Sequence, residues 1–225
     1  MRKLIIAAML LTGMAVCAMA QPKPEDKDWA NFKRYAAQNA QISEKPRAVL
    51  MGDSITDGWA SQDGAWLAEH QFVGRGISGQ TTSHMLVRFR PDVIELDPEY
   101  VVILAGINDI ARNNGYISLP NIFKNIVSMV ELAMSNGIKP VLCTILPAHE
   151  IGWRKQLGDP RPKIDSLNTM IRDYAEEYRL PLVDYHTAMD DGTGAIKPEC
   201  RRDAVHPNLA GYKIMEKTLL DVLDR

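Results

Sequence analysis

The sequence predicts a three-layer α/β/α fold in which a five-stranded parallel sheet lies between helices. Three observations lead to it. Short apolar runs without helical period recur along the chain, at 48–51, 100–105 and 141–146, as expected of strands buried on both faces. Stretches with apolar residues three and four apart alternate with these runs over roughly 180 residues, the βαβ rhythm of a parallel sheet. Glycine-rich and polar loops follow the runs, and in open α/β sheets the loops after the strands gather at one edge, where ligands bind.

Taken in order, Asp28 to Ala40 places Trp29, Phe32, Tyr35 and Ala36 at helical spacing and predicts an amphipathic helix packed on the domain. Ala48 to Met51 is the first strand, closed by Gly52, which permits a sharp turn before Asp53 and Ser54. From Ser54 to about Gln71 the pattern predicts a loop and a short helix holding Trp66 and Leu67. Phe72 and Val73 open a second strand, and Thr81 to Arg90 is helical before Pro91. Tyr100 to Ala105 is the plainest buried strand. Leu119 to Ser135 follows as a helix with Ile122, Phe123, Ile126, Met129, Val130 and Ala133 on one side, ending at Asn136-Gly137. Val141 to Leu146 is the fourth strand, Ile164 to Tyr178 a helix, Leu182 to Tyr185 a short last strand, and Leu209 to Leu223 the closing helix. The expected strand order is 2-1-3-4-5, the flavodoxin-like arrangement.

Residues 1–20 carry Arg2 and Lys3, an apolar run from Leu4 to Val16, and the small-x-small sequence Ala18-Met19-Ala20. That pattern predicts a secretory signal peptide cut before Gln21 and a secreted or periplasmic protein. The run is short for a membrane span, so no stable membrane insertion is expected after cleavage. Val16 is larger than the residue a lipidation box has before its cysteine, which disfavours lipidation at Cys17. Residues 21–225 then form one domain. Loss of Arg2 and Lys3 takes the count from 26 basic and 28 acidic residues to 24 and 28, a net charge of −4. No basic patch stands out, so nucleic acid is not an expected partner. Cys143 and Cys200 alone remain, and a free buried thiol is the expected state of Cys143 rather than a bridge to Cys200.

Four loops carry the chemistry: Gly52-Asp53-Ser54-Ile55-Thr56, Gly74 to Thr81, Gly106-Ile107-Asn108-Asp109, and Asp203-Ala204-Val205-His206-Pro207. A serine hydroxyl is a weak nucleophile until a base takes its proton and donors hold the oxyanion. Ser54 ends a strand, and the other loops supply a glycine amide, an amide side chain and an Asp/His pair. His206 accepts the Ser54 proton through one ring nitrogen while Asp203, three residues before it, orients the other. Asp53, next to the nucleophile, is expected to bond loop backbone. His70, His84, His149 and His186 have no partners at metal-ligand spacing, and no metal or cofactor is expected.

These four blocks, from Gly52 to His206, resemble those of the SGNH, or GDSL-type, hydrolase family, with GDSI standing where the usual pattern has GDSL. GDSITDGW and DAVHPNLAGY are most similar to platelet-activating-factor acetylhydrolase catalytic subunits and bacterial carbohydrate esterases. The resemblance implies an SGNH hydrolase fold, Ser54 as nucleophile, Asp203 and His206 completing a triad, and Gly79 and Asn108 as oxyanion donors beside the Ser54 amide. It further implies an acetylesterase acting on carbohydrate. A lysophospholipase or thioesterase on longer acyl chains, and a catalytically silent glycan-binding module, are the alternatives.

Two other patterns fail. Gly74-x-Gly76-x-x-Gly79 matches a dinucleotide fingerprint literally, but it follows the second strand and lacks the acidic residue downstream. The G-x-S-x-G elbow has Thr56 in place of its second glycine. The expected rim segments, Asp57 to Gly64 and Ala148 to Pro162, mix Trp59 and Trp153 with Gln62, His149, Glu150, Arg154 and Lys155, suited to stacking on a sugar and bonding its hydroxyls.

Overall fold

In the computed structural model, which describes residues 27–224, the apolar runs pair as one parallel sheet. Strands β1 (Ala48–Gly52), β2 (Phe72–Gly76), β3 (Tyr100–Leu104), β4 (Lys139–Cys143) and β5 (Leu182–Val183) lie in the order β2-β1-β3-β4-β5. The expected signal peptide and its cleavage point fall outside the described residues. Alternate residues of each strand enter opposite cores, which is why the runs are continuously apolar. Val49, Met51, Val101 and Ile103 pack with α3 (Thr82–Asp92), α5 (Leu119–Ser135) and α6 (Arg161–Glu177). Ala48, Leu50, Val102 and Leu104 pack on the other face with α2 (Ser54–Glu69) and α8 (Leu209–Leu223). Three layers result. Among the described residues three shorter α-helices accompany these: α1 (Lys33–Asn39), α4 (Ile107–Ile110) and α7 (Tyr185–Met189).

Gly52 is level with Gly76 on one side and Leu104 on the other, so β1, β2 and β3 end flush and release their loops side by side. Gly52 and Gly76 serve close approach. A Cβ at Gly52 would lie 2.1 Å from Thr56 Oγ1, and one at Gly76 would lie 2.1 Å from the Asp57 backbone nitrogen. The start of α2 therefore rests directly on the ends of β1 and β2.

Several boundaries differ from the sequence expectation. The segment after Ser54 is helical almost throughout, kinked at Asp63 (φ −152°, ψ 64°), whose carboxylate accepts the Trp66 N–H at 3.2 Å. Thr56, Asp57, Gly58 and Gly64 are weak helix formers, and burial of Ile55, Trp59, Trp66 and Leu67 overrides them. The N-terminal helix is only seven residues long, because Asn31 is left-handed (φ 59°) and Asp28 caps Phe32 and Lys33 at 3.0 and 2.9 Å. Of its expected apolar face only Tyr35 is buried within the helix; Trp29 and Phe32 are exposed. Pro91 sits inside the last turn of α3 rather than beyond it. β4 stops at Cys143, and Ile145 instead exchanges hydrogen bonds with the Asn168 side chain at 2.7 and 2.9 Å. β5 ends at Val183 since Asp184 caps α7. Cys143 and Cys200 are free and buried.

Candidate active site

Ser54 is the first residue of α2. The Asp53 carboxylate caps the helix by accepting the Ile55 N–H at 3.0 Å, the backbone role expected of it. That geometry leaves Ser54 at the positive end of the helix dipole, and among the described residues the N–H groups of Ser54 and Gly79 have no acceptor. Asp53 is wholly enclosed, and burial pushes its carboxyl up to about 7.

The histidine expected to act as base comes from the far end of the chain. Ser54 Oγ lies 2.9 Å from His206 Nε2, and His206 Nδ1 lies 2.9 and 3.0 Å from the Asp203 carboxylate oxygens. Asp203 Oδ1 also accepts the backbone N–H groups of Val205 and His206, at 2.9 and 2.8 Å. Partial burial pushes the Asp203 carboxyl up, but these backbone bonds and the His206 ring outweigh it and hold it below the usual carboxylate range. An ionised carboxylate can only accept, so Nδ1 carries the proton and Nε2 offers its lone pair to the Ser54 hydroxyl. The loop is anchored where it enters α8. Asn208 caps α8 through Gly211 at 3.1 Å, and Tyr212 of α8 donates to the Ile55 carbonyl at 2.7 Å, tying the His206 helix to the Ser54 helix.

The two residues expected to serve as oxyanion donors lie in the neighbouring loops. Gly79 has φ +80°, in the left-handed region that glycine adopts without strain. Asn108, buried in α4, donates through Nδ2 to the Gln80 carbonyl at 3.1 Å, which joins the two loops. Asp109 beside it is not exposed to substrate: it accepts from Thr82 N–H and Oγ1 at 2.9 and 2.7 Å, and burial raises its carboxyl to about 6. The Ser54, His206 and Asp203 side chains thus form one hydrogen-bonded relay, with the Gly79 and Asn108 loops interlocked next to it.

The sequence profile of the GDSL-like lipase/acylhydrolase family matches residues 50–214, the span that contains all of these groups. The chain belongs to that family. Carboxylic ester hydrolysis of the GDSL/SGNH type is the chemistry this membership carries. A crystal structure of a GDSL-like lipase from Bacteroides thetaiotaomicron is 43% identical and superposes with a TM-score of 0.84, covering 87% of this chain and 98% of that one. An acetylxylan esterase of Geobacillus stearothermophilus is 26% identical over 152 residues, 66% of this chain and 69% of its own. An uncharacterised lipoprotein of Bacillus subtilis is 32% identical over 129 residues, 50% of this chain; the chain thus spans about half, 53%, of that relative.

Within this GDSL family fold the two expected rim tryptophans part company. Trp59 is not at a rim: it is 2% exposed, stacked on Trp66 with centroids 5.6 Å apart, and its Nε1 donates to Glu216 at 3.2 Å. Because Asp57 to Gly64 is helical, only its other face, through Asp57, Gly58, Ala60 and Ser61, meets the cleft. Trp153 is at the surface, 41% exposed, in the short 3₁₀ segment Gly152–Leu157, with its ring centroid 6.0 Å from that of His206.

A cleft of about 810 Å³ opens on Ser54 between α1, α2 and β2. Arg34, Ser78 and Arg202 on its wall carry no expected site role in the sequence, and Tyr35 is expected there only to pack the N-terminal helix. Asp57, one turn beyond Ser54, holds this wall together by accepting from Arg34 at 3.2 Å and from Ser78 Oγ at 2.7 Å. Beneath it Arg88 is fully buried and reaches Gly52 O (3.1 Å), Gln80 Oε1 (2.6 Å) and Asp92 Oδ2 (2.8 Å), joining the end of β1 to the Gly79 loop. Only the i,i+4 spacing of Arg88 and Asp92 hinted at this in the sequence. Among the described residues no group of three or more His, Cys, Asp or Glu is arranged to hold a metal ion, and no helix is long and apolar enough to cross a membrane.

Proposed function

We propose that the protein is an exported, single-domain serine esterase that removes short acyl groups, chiefly acetyl, from carbohydrate. The observation that carries this is the continuous relay from Ser54 Oγ through His206 to Asp203, each link at 2.9–3.0 Å. Ser54 Oγ attacks the ester carbonyl as its proton passes to His206 Nε2. The tetrahedral oxyanion is held by the N–H groups of Ser54 and Gly79 and by Asn108 Nδ2. The intermediate collapses, His206 protonates the departing alkoxide, and the acyl group stays on Ser54. A water then gives its proton to His206 and attacks the acyl-enzyme; the acid leaves and Ser54 recovers its proton. Asp203 stays ionised throughout and stabilises the imidazolium.

Polar cleft walls support a sugar as the alcohol side. Arg34, Asp57, Ser78 and Arg202 surround the approach to Ser54, and the exposed ring of Trp153 stands on the His206 side, suited to stacking on a pyranose. The acetylxylan esterase relative points the same way. The signal-peptide pattern of residues 1–20 supports export.

The test is a panel of esters with acyl chains from acetyl to octanoyl and with simple or sugar alcohols. A fitted acyl groove gains about 0.8 kcal/mol for each further buried methylene. We expect kcat/KM to fall with chain length and to be highest on acetylated oligosaccharides. A gain of more than about tenfold from acetyl to octanoyl, roughly 1.4 kcal/mol, would replace this reading with a lipid- or thioester-directed one.

A further inference from the structure

The Asn108 side chain serves an oxyanion only if its amide is turned the right way. Oxygen and nitrogen of an amide have nearly the same shape, so packing alone does not choose between them. Here the choice is made by a chain of hydrogen bonds whose two ends are chemically unambiguous. At one end, Trp153 Nε1–H can only donate, and it donates to Asn113 Oδ1 at 2.9 Å. Asn113 therefore presents Nδ2 on its other side, to the Gly79 carbonyl at 3.3 Å and to Asn108 Oδ1 at 2.7 Å. At the other end the Gln80 carbonyl can only accept, and it takes one hydrogen of Asn108 Nδ2 at 3.1 Å. One hydrogen of Asn108 Nδ2 is left over.

We propose that Asn113, braced by Trp153, is a positioning residue for the oxyanion hole, fixing the orientation of the Asn108 amide and the Gly79 peptide with one side chain. It rests on the reading of Asn108 and Gly79 as oxyanion donors. The backbone sets Asn113 in position to do so, since Arg112 turns left-handed (φ 56°) and the Asn113 N–H returns to the Asn108 carbonyl at 3.0 Å. Both Nδ2 hydrogens of Asn113 are engaged, and Oδ1 is turned to the Trp153 donor. An aspartate there would accept from Trp153 equally well but would set a carboxylate oxygen against Asn108 Oδ1 and the Gly79 carbonyl. Trp153 thereby joins the oxyanion side of the site to the surface beside His206.

The test compares kcat and KM on a short acetyl ester for wild type, Asn108→Ala, Asn113→Ala, Asn113→Asp, Trp153→Phe and the Asn108→Ala/Asn113→Ala double variant, with thermal melts as a check on folding. Loss of a whole oxyanion donor costs about 10² to 10³ in turnover. Asn113→Ala should lower kcat about 10- to 100-fold with KM changed less than about threefold, and Asn113→Asp should lose at least as much. Trp153→Phe, which keeps the ring but not the N–H, should lose less than either. Asn113→Ala should cost much less in the Asn108→Ala background than in wild type, because it acts largely through Asn108. A folded Asn113→Ala or Asn113→Asp enzyme with wild-type kcat, or losses that multiply independently with Asn108→Ala, would overturn the proposal while leaving Asn108 as donor. An unchanged kcat for Asn108→Ala itself would overturn the oxyanion reading, and this inference with it.

Discussion

Replacing Arg88 by methionine is the perturbation whose cost the structure defines most closely. Methionine fills much of the same space, so the change removes a charge and its hydrogen bonds rather than opening a large void. One of the three partners keeps a donor, and a second keeps only its anchor, because Gln80 Oε1 loses the Arg88 N–H. The Gly52 carbonyl still accepts from Ile77 N–H at 3.2 Å, and Gln80 is still anchored by its bond to the Ala30 carbonyl at 2.7 Å. Asp92 is different: it is 1% exposed, and apart from Arg88 its side-chain partner is Asn39 Nδ2 at 2.9 Å. Leaving a buried charge without its counter-ion costs about 3–5 kcal/mol. That is the expected loss of unfolding free energy for Arg88→Met in urea denaturation. Converting both partners, as Arg88→Met/Asp92→Leu, should recover most of it, since a buried pair is often close to neutral against apolar residues of similar size. The single variant should also lose kcat even where fully folded, because Gly52 and Gln80 lead into the Ser54 and Gly79 loops. A cost below about 1 kcal/mol for the single variant, or a double variant no better than the single, would refute this role for the pair.

Asp53→Asn retains an acceptor for the Ile55 N–H but removes a carboxyl raised to about 7. A raised acid contributes stability that is fully present below its unfolded value and is lost as pH rises through the folded one. Wild-type stability relative to Asp53→Asn should therefore fall between about pH 4 and 7, by up to roughly 4 kcal/mol; parallel curves in pH-dependent denaturation would contradict the burial effect. Trp59→Phe should destabilise by about 1–3 kcal/mol, since the buried Glu216 loses its indole donor, with KM for esters unchanged. A raised KM without loss of stability would return Trp59 to the substrate. Gly76→Ala sets a methyl 2.1 Å from the Asp57 nitrogen and 2.6 Å from the Asp53 carbonyl, so it should cost about 1–3 kcal/mol and lower kcat by displacing Ser54; a wild-type kcat would show that α2 has room to shift.

The strands and their order were legible because a strand buried on both faces needs an unbroken apolar run, and few other structures do. The relay was legible because its parts are local: Asp203 and His206 lie in one turn, and Ser54 directly follows a strand. What was not legible depends on distant partners. The α2 sequence, with Thr56, Asp57, Gly58 and Gly64, reads as a loop until Trp59 and Trp66 stack beneath it. A tryptophan five residues beyond Ser54 fits rim and core equally well from spacing alone, and only the packing against Tyr212 and Glu216 decides for the core. Asn113 carries no motif; its importance comes from the left-handed turn at Arg112 and from Trp153, forty residues away in the chain. Arg34 joins the cleft wall through Asp57, a contact across 23 residues that no periodicity announces.

The triad claim is tested most directly by covalent labelling with a fluorophosphonate, read by intact-protein and peptide mass spectrometry. Such a probe reacts at a serine only when its oxygen is activated, independent of which ester the enzyme prefers. An activated Ser54 predicts a single adduct on Ser54, none in Ser54→Ala, and a labelling rate reduced by about 10³ or more in His206→Ala. An adduct on another residue, or undiminished labelling of Ser54 in His206→Ala, would contradict the triad.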